Sequence, residues 1–254
     1  MKLLALDFDG VISDSAREGF VVALRAYRTM WPGAHLPEVA DADDAPGLYR
    51  AFVDLMPLGN RAEDYAVVLA ALEQGHPLAG QSSYDAFFAA QDPAELGEFH
   101  RRFYEVRDAW AARDPDGWLD QMKPYPRIRE VLRRHAGEVI LAIATAKDRA
   151  SVGRLLQSYG IDDLFPPERV LDKEAGRSKR GHLEALAART GTPLPEILFV
   201  DDKLNHLGSV RSLGVGCALA AWGYNGSGEQ ALARSAGYRV LTLEALESQL
   251  FAPA

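Results

Sequence analysis

Four carboxylates stand directly after apolar segments, and they are the first candidates for chemistry. Asp7 and Asp9 follow the apolar segment at residues 3–6. Asp201 and Asp202 follow a second apolar segment further along the chain. Side chains two residues apart on an extended chain share a face, so Asp7 and Asp9 can act together. Four such groups in one place repel each other unless a cation lies among them, and hard oxygen ligands suit Mg²⁺.

A hydroxyl group joins this set. Thr145 follows a third apolar segment, residues 139–144. In a parallel sheet the ligand site lies beyond the carboxyl ends of the strands, so the three segment ends would converge if these strands are neighbours. A cationic side chain near them would help to hold an anionic substrate. Lys147, Lys173, Lys179 and Lys203 are the candidates.

The elements that must position these groups follow from the hydrophobic pattern. Short apolar runs followed by Gly or acidic residues predict buried strands, and they alternate with helical stretches after residue 124. Apolar strands alternating with helices predict a parallel sheet covered on both faces. The predicted strands are residues 3–6, 139–144, 169–171, 197–200, 215–220 and 238–241. The predicted helices of this part are residues 127–135, 149–159, 179–190, 207–213, 227–236 and 243–250.

The region before residue 124 has a different pattern. The sequence from 13 to 15 offers helix-capping residues, and the stretch at 114–117 has turn chemistry. Helices are predicted at residues 16–29, 45–54, 62–74, 83–90 and 93–112, with no alternating strand pattern. The chain is thus predicted to be α/β, with a Rossmann-like parallel sheet core at residues 1–14 and 124–254. An all-helical domain, residues 15–123, is inserted into it.

Composition excludes several classes of protein. The 254 residues are 48% hydrophobic and 25% charged, which is typical of a globular protein. The formal net charge of −8 without a basic stripe argues against nucleic acid or an anionic membrane as partner. Cys217 is the single cysteine, so no internal disulfide can form. The N-terminal apolar run is too short for a signal peptide, and we expect a cytoplasmic protein that is a monomer or homodimer.

The order of these motifs resembles that of the haloacid dehalogenase superfamily of phosphohydrolases. The resemblance rests on Asp7-Phe8-Asp9-Gly10-Val11, on Thr145 after a hydrophobic strand, on a following Lys, and on Val200-Asp201-Asp202. It implies that Asp7 is a nucleophile that forms an aspartyl-phosphate. It implies that Asp9 is the general acid and base, and that its backbone carbonyl binds Mg²⁺.

The resemblance also assigns the remaining motif positions. Thr145 would bind the phosphoryl oxygens, and Lys179, at a predicted helix start, best matches the family's Lys. Asp202 would bind Mg²⁺ with Asp201 beside it. His206 stands where relatives often carry another Asp, so its role stays open. Backbone N–H groups at Gly10 and Ala146 could meet phosphate oxygens.

The helical insert resembles the family's cap, which closes over the active site. Asn60 and Arg61 begin one of its helices and could contact the substrate, although a plain surface helix is an equal alternative. The expected function is Mg²⁺-dependent hydrolysis of a phosphate monoester of a small metabolite. The alternatives are a phosphotransferase such as a sugar-phosphate mutase, and a catalytically silent binding protein. The insert has no Lys from residue 16 to 122, which argues against phosphonate hydrolysis through a Schiff base.

Overall fold

The computed structural model describes residues 1–176 and 178–251, and these form two compact units. The first unit combines Met1–Asp14 with Lys123–Ala254, and the second is Ser15–Met122. The boundary between them at Met122 and Lys123 lies one residue before the position predicted from the sequence.

The first unit is built on a six-stranded parallel sheet. Its strands are β1 (Leu3–Leu6), β4 (Ile140–Ala144), β5 (Val170–Leu171), β6 (Ile197–Asp201), β7 (Gly216–Ala220) and β8 (Arg239–Leu241). Their order in the sheet is β5-β4-β1-β6-β7-β8, and every pairing is parallel. All six predicted strands are present, and the predicted α/β class is confirmed.

The central strands are covered on both faces. All four residues of β1 are at most 1% exposed, and the five residues of β6 are all buried. A strand that is buried on both faces is apolar along most of its length, which explains the uninterrupted runs in the sequence. Asp201, the last residue of β6, is the buried exception. The covering helices are α7 (Ile128–His135), α8 (Arg149–Tyr159), α9 (Lys179–Thr190), α10 (Leu204–Val210), α11 (Ser227–Ser235) and α12 (Leu246–Phe251).

The strand register aligns the carboxyl ends of the three central strands. Leu6 is the partner of Ile143 in β4 and of Val200 in β6. The residues that follow these partners therefore lie side by side at one edge of the sheet. The backbone N–H of Asp7 donates to the carbonyl of Val200 at 2.9 Å, which extends the ladder to the acidic end of β1.

The second unit consists of helices. They are α1 (Ala16–Met30), α2 (Pro46–Leu55), α3 (Ala62–Gln74), α4 (Gln81–Ala89), α5 (Pro93–Arg113) and α6 (Pro115–Asp120). Helix α6 was not expected, because its first residues were interpreted as a turn. The side chain of Asp114 accepts from the Gly117 N–H at 3.0 Å, and proline occupies the first helical position. Both features start a helix, so the same turn-like residues here form an N-cap.

Two other local predictions were wrong in part. Of the three residues interpreted as helix-capping, Ser15 is the N-cap of α1 as expected, but Ser13 and Asp14 form strand β2 (Ser13–Asp14), which pairs antiparallel with β3 (Lys123–Pro124). Helix α10 begins three residues earlier than predicted, because the Leu204 N–H is capped by a carboxylate oxygen of Glu229 at 2.7 Å. No helix among the described residues is long and apolar enough to span a membrane.

Candidate active site

Asp7 lies at the carboxyl end of β1 and is buried, with 7% of its surface exposed. Its Oδ1 accepts from the Phe8 N–H at 2.7 Å and lies 2.8 Å from the ammonium of Lys179. Both contacts use Oδ1, which leaves Oδ2 as the oxygen that can be directed at a ligand. Burial raises the pKa of Asp7 to about 6, with Lys179 opposing the rise and Asp201 adding to it.

Lys179 is the first residue of α9 and is held by groups at the ends of three strands. Its Nζ donates to the Ala144 carbonyl at 2.8 Å and lies 2.8 Å from Asp7 and 3.2 Å from Asp201. Burial lowers the pKa of Lys179, but the two carboxylates more than offset this and leave it above its ordinary value. The helix start that brings it here is capped by Ser178, whose hydroxyl accepts from the Gly181 N–H. The structure thus places the predicted lysine directly beside the predicted nucleophile.

Asp201 is fully buried, and its contacts are with cations and N–H groups. Its Oδ1 accepts from the Lys203 N–H at 2.9 Å and from His206 Nδ1 at 3.0 Å, and its Oδ2 faces Lys179. Burial opposes ionisation, yet Lys179 and His206 together hold the pKa of Asp201 well below its usual range. A carboxylate can only accept, so Nδ1 of His206 carries the proton in this pair. The role left open for His206 therefore includes orienting Asp201.

Asp202 has the opposite electrostatic environment. It is 1% exposed, and its Oδ2 accepts from the Tyr224 N–H at 2.7 Å. Burial, followed by repulsion from Asp201, raises the pKa of Asp202 to about 8. Lys203 opposes this rise, and its Nζ donates to the Tyr224 carbonyl at 2.7 Å. A buried carboxyl whose ionisation is so disfavoured is a group that a cation would stabilise as the carboxylate.

Thr145 and Lys147 form the third part of the site. Thr145 is 1% exposed, and its Oγ1 accepts from the Lys147 N–H at 3.1 Å. This acceptor role leaves the Thr145 O–H free to donate to a ligand oxygen. The ammonium of Lys147 lies 3.1 Å from Oδ1 and 3.3 Å from Oδ2 of Asp9. Ala146, between them, is exposed.

The donor set fits a divalent cation. Ligand atoms of Asp7, Asp201 and His206 lie within 4.8 Å of one another. Asp202 adds a buried carboxyl at the same edge, since it directly follows Asp201 at the end of β6. Carboxylate oxygens are the hard ligands that Mg²⁺ binds in proteins. In this structure the oxygens of Asp201 are already in contact with Lys179, His206 and a backbone N–H, so Asp7 and Asp202 are the better placed carboxylates for a metal.

Two predicted substrate-binding residues lie in the helical unit. Arg61 precedes α3, and its side chain is 70% exposed. Its backbone N–H and its Nε both donate to Oδ2 of the buried Asp64, at 2.9 and 3.0 Å. Asn60, next to it, is partly buried. The structure therefore shows a fixed helix start at these residues, and their contact with substrate stays a prediction.

Sequence reasoning missed the loop after β7. Gly223 packs against Asp202: a Cβ on it would come within 2.3 Å of the Asp202 Cβ and 2.4 Å of the Gly10 carbonyl oxygen. Tyr224 supplies the N–H that Asp202 accepts, and Asn225 Nδ2 donates to the Asp202 backbone carbonyl at 3.0 Å. The sequence Gly223-Tyr224-Asn225, shortly after the predicted strand at 215–220, could have indicated this part of the site. The carboxyl end of a strand in such a sheet borders the ligand site.

Comparison with known proteins gives the class. The family model of haloacid dehalogenase-like hydrolases matches residues 1–214. The chain belongs to this family of hydrolases. No curated protein has a significant match to it.

Solved structures share the fold at low sequence identity. A haloacid dehalogenase-like family hydrolase from Streptococcus pneumoniae has a TM-score of 0.63 at 16% identity, covering 100% of this chain and 99% of that chain. A predicted phosphoglycolate phosphatase from Haemophilus somnus has a TM-score of 0.62 at 20% identity, covering 98% and 96% of the two chains. These similarities establish the fold and leave the substrate to be determined.

Proposed function

We propose that this hydrolase is a Mg²⁺-dependent phosphatase that cleaves a phosphate monoester of a small metabolite through an aspartyl-phosphate on Asp7. The main support is the Asp7–Lys179 pair. It combines a buried carboxylate at a strand end with an ammonium that can neutralise both the nucleophile and an incoming phosphoryl group. Thr145, with its hydroxyl proton free to donate, supplies a neutral donor at the same edge.

In the first step Asp7 Oδ2 attacks phosphorus while the bond from phosphorus to the ester oxygen breaks. The leaving oxygen takes its proton from Asp9, so an alcohol departs and Asp9 is left as a carboxylate. Lys179 stabilises the negative charge on the phosphoryl oxygens through a charge-assisted hydrogen bond. The Thr145 hydroxyl donates to another of these oxygens.

In the second step water attacks the phosphorus of the aspartyl-phosphate. Asp9 takes a proton from this water as the new oxygen–phosphorus bond forms. The bond between phosphorus and Asp7 breaks, inorganic phosphate leaves, and both aspartates return to their starting states. The covalent intermediate divides one difficult displacement into two easier ones.

The metal in this proposal is Mg²⁺, held by Asp7, Asp202 and the backbone carbonyl of Asp9, with Asp201 next to them. When bound, it would offset the charge of the carboxylates and of the phosphoryl group. The raised pKa of Asp7 and of Asp202 supports this assignment, since burial disfavours the ionised form of both groups and a cation would stabilise it.

The helical unit is proposed to act as the cap, with Asn60 and Arg61 available to the substrate. Its place in the chain supports this role, because it is inserted between the motif that holds Asp7 and the one that holds Thr145. We further propose that the protein acts in the cytoplasm, as a monomer or homodimer, on a small phosphorylated metabolite without nucleic-acid or membrane partners.

The test is direct detection of the covalent intermediate. The protein is mixed with Mg²⁺ and p-nitrophenyl phosphate, quenched in acid, and digested, and the peptide that contains Asp7 is measured by mass spectrometry. A phosphorylated Asp7 peptide and release of inorganic phosphate are expected. Hydrolysis without any phosphorylated Asp7 would contradict the mechanism. A screen of phosphorylated metabolites then defines the substrate. It includes phosphoglycolate, because the Haemophilus somnus protein is described as a predicted phosphoglycolate phosphatase.

A further inference from the structure

Lys147 forms an ion pair with Asp9 that the proposed mechanism does not use. Its Nζ lies 3.1 and 3.3 Å from the two oxygens of the Asp9 carboxylate. The Lys147 side chain is only 4% exposed, whereas that of Asp9 is 32% exposed. The buried partner is therefore the cation, and the carboxylate faces the open side of the site.

The backbone around Lys147 is fixed at both ends. Its N–H donates to Thr145 Oγ1 at 3.1 Å, and its carbonyl accepts from the Lys173 N–H at 3.3 Å. The helix that follows is capped by Asp148, whose Oδ1 accepts from the Ser151 N–H at 2.8 Å. A side chain that starts from a fixed backbone and is almost fully buried has few alternative positions. The Lys147 side chain is thus restricted to a single position.

Asp9 needs such a restraint. It lies in the loop after β1, where Gly10 has a positive φ of 80° and the chain turns away from the sheet. An isolated bridge to Ser13 fixes the Asp9 backbone, but its side chain remains one-third exposed. A general acid must lie within hydrogen-bond distance of the leaving oxygen, and a small displacement is costly to the rate.

We propose that Lys147 is a positioning residue that holds the Asp9 carboxyl group in the orientation from which its protonated form gives a proton to the leaving group. This inference rests on the proposed phosphatase function and adds a second lysine to it. Lys179 neutralises the nucleophile Asp7, and Lys147 orients the acid Asp9. The two lysines therefore serve the two aspartates of one motif separately.

The leaving group provides the test. Phenyl phosphate and p-nitrophenyl phosphate have the same ring, but phenolate is the poorer leaving group and depends more on protonation. Lys147→Met is expected to lower kcat/KM for phenyl phosphate by about 10- to 100-fold, within the usual contribution of general acid catalysis. For p-nitrophenyl phosphate the loss should be under about threefold, since little protonation is needed. Lys147→Arg, which keeps the ion pair, should recover most of the loss.

A double mutant separates positioning from other effects. In an Asp9→Asn background the Lys147→Met substitution should have almost no further effect on phenyl phosphate, because residues acting through one another are not additive. Lys2→Met is the matched control: Lys2 pairs with Glu196 at 2.9 Å, is exposed, and should leave both substrates unaffected. Equal losses on both substrates, or full additivity with Asp9→Asn, would overturn the inference.

A crystal structure of the Lys147→Met variant provides a readout that does not depend on activity. The Asp9 carboxylate should leave its present position while Asp7 and Lys179 keep their 2.8 Å contact. An unmoved Asp9 would overturn the positioning role even if the protein is a phosphatase. If instead the wild-type protein hydrolyses no phosphate monoester, the proposed function fails, and the crystal structure still decides whether Lys147 positions Asp9.

Discussion

The Asp202 carboxyl group lies directly against Gly10. A Cβ built on Gly10 would come within 2.5 Å of the Asp202 carboxyl carbon, closer than any real contact allows. Gly10 also has a φ of 80°, which other residues adopt only at a cost. The two residues belong to motifs far apart in the sequence. Their contact shows that the loop after β1 packs directly against the acidic end of β6.

Substitution of Gly10 by Ala should therefore disrupt the site. We expect a loss of about 1–2 kcal/mol from the positive φ and a further 1–3 kcal/mol from overpacking against Asp202, with most of the activity lost. Urea denaturation and phosphatase assays measure the two effects. Gly214→Ala is the matched control, since Gly214 has a φ of 76° and open space around its Cβ position. Gly214→Ala should lose only the stability attributed to the positive φ, and it should keep its activity.

Asp7→Asn should abolish turnover while the protein stays folded. The amide is nearly the same size as the carboxyl but cannot act as a nucleophile toward phosphorus. Steady-state assays should show a loss of at least about a thousandfold, and circular dichroism should be unchanged. Asp163→Asn, which removes an exposed partner of Arg133, should keep full activity. Substantial turnover in Asp7→Asn would exclude Asp7 as the nucleophile.

Lys179→Met should reduce both activity and stability. It leaves the buried Asp7 and Asp201 without their ammonium, and breaking a buried ion pair in this way costs about 3–5 kcal/mol. The loss should be larger at pH 8 than at pH 5. The pKa of Asp7 is already raised to about 6, so acid conditions protonate that carboxyl and reduce the uncompensated charge. Urea titrations at the two pH values measure the difference, and a loss independent of pH would contradict the assignment.

Metal binding should depend on pH through Asp202. Its pKa is raised from 3.8 to about 8 by burial and by Asp201, so the folded protein keeps a proton that the unfolded chain releases above pH 4. Stability of the metal-free protein should therefore fall as pH rises from about 4 to 8. Mg²⁺ needs the carboxylate, so its affinity should rise with pH and level off above about pH 8.

Calorimetry in buffers of different ionisation enthalpy tests this prediction. Binding of Mg²⁺ at pH 7 should release about one proton, and Asp202→Asn should remove the release. EDTA should abolish activity, and added Mg²⁺ should restore it. Full activity of the metal-free protein would contradict the proposed cofactor.

The helical unit contains a buried ion pair whose loss should destabilise it. Arg107 Nε lies 2.8 Å from Glu18 Oε1, and both side chains are at most 7% exposed. Arg107→Met leaves Glu18 buried without this partner, so we expect a loss of about 3–5 kcal/mol in thermal or urea unfolding. Arg101→Met on the same helix removes exposed ion pairs to Glu98 and Glu105. It should have little effect on stability, because exposed ion pairs are screened by solvent. Equal losses in the two variants would contradict the distinction.

The strand pattern was predictable because burial on both faces imposes apolar residues along most of a strand. The runs that give β1, β4 and β6 were visible for that reason, and so were Asp7, Thr145 and Asp201 at their ends. Helix ends were less predictable. The Asp114 cap starts a helix where a turn was expected, and α10 begins early because Glu229, from another helix, caps it.

The sequence by itself determined the parallel α/β fold and the strand-end aspartates, since both follow from local periodicity and from the geometry of a parallel sheet. The family resemblance already indicated Lys179 as the lysine beside Asp7, but only the tertiary structure decided that Lys147 pairs with Asp9. It also decided that Lys179, His206 and a backbone N–H contact the oxygens of Asp201, while no lysine contact is seen at the Asp202 carboxyl in the described part of the chain. These differences depend on burial and on contacts between loops distant in the chain. Such contacts set the electrostatics of each carboxylate and leave no local sequence pattern.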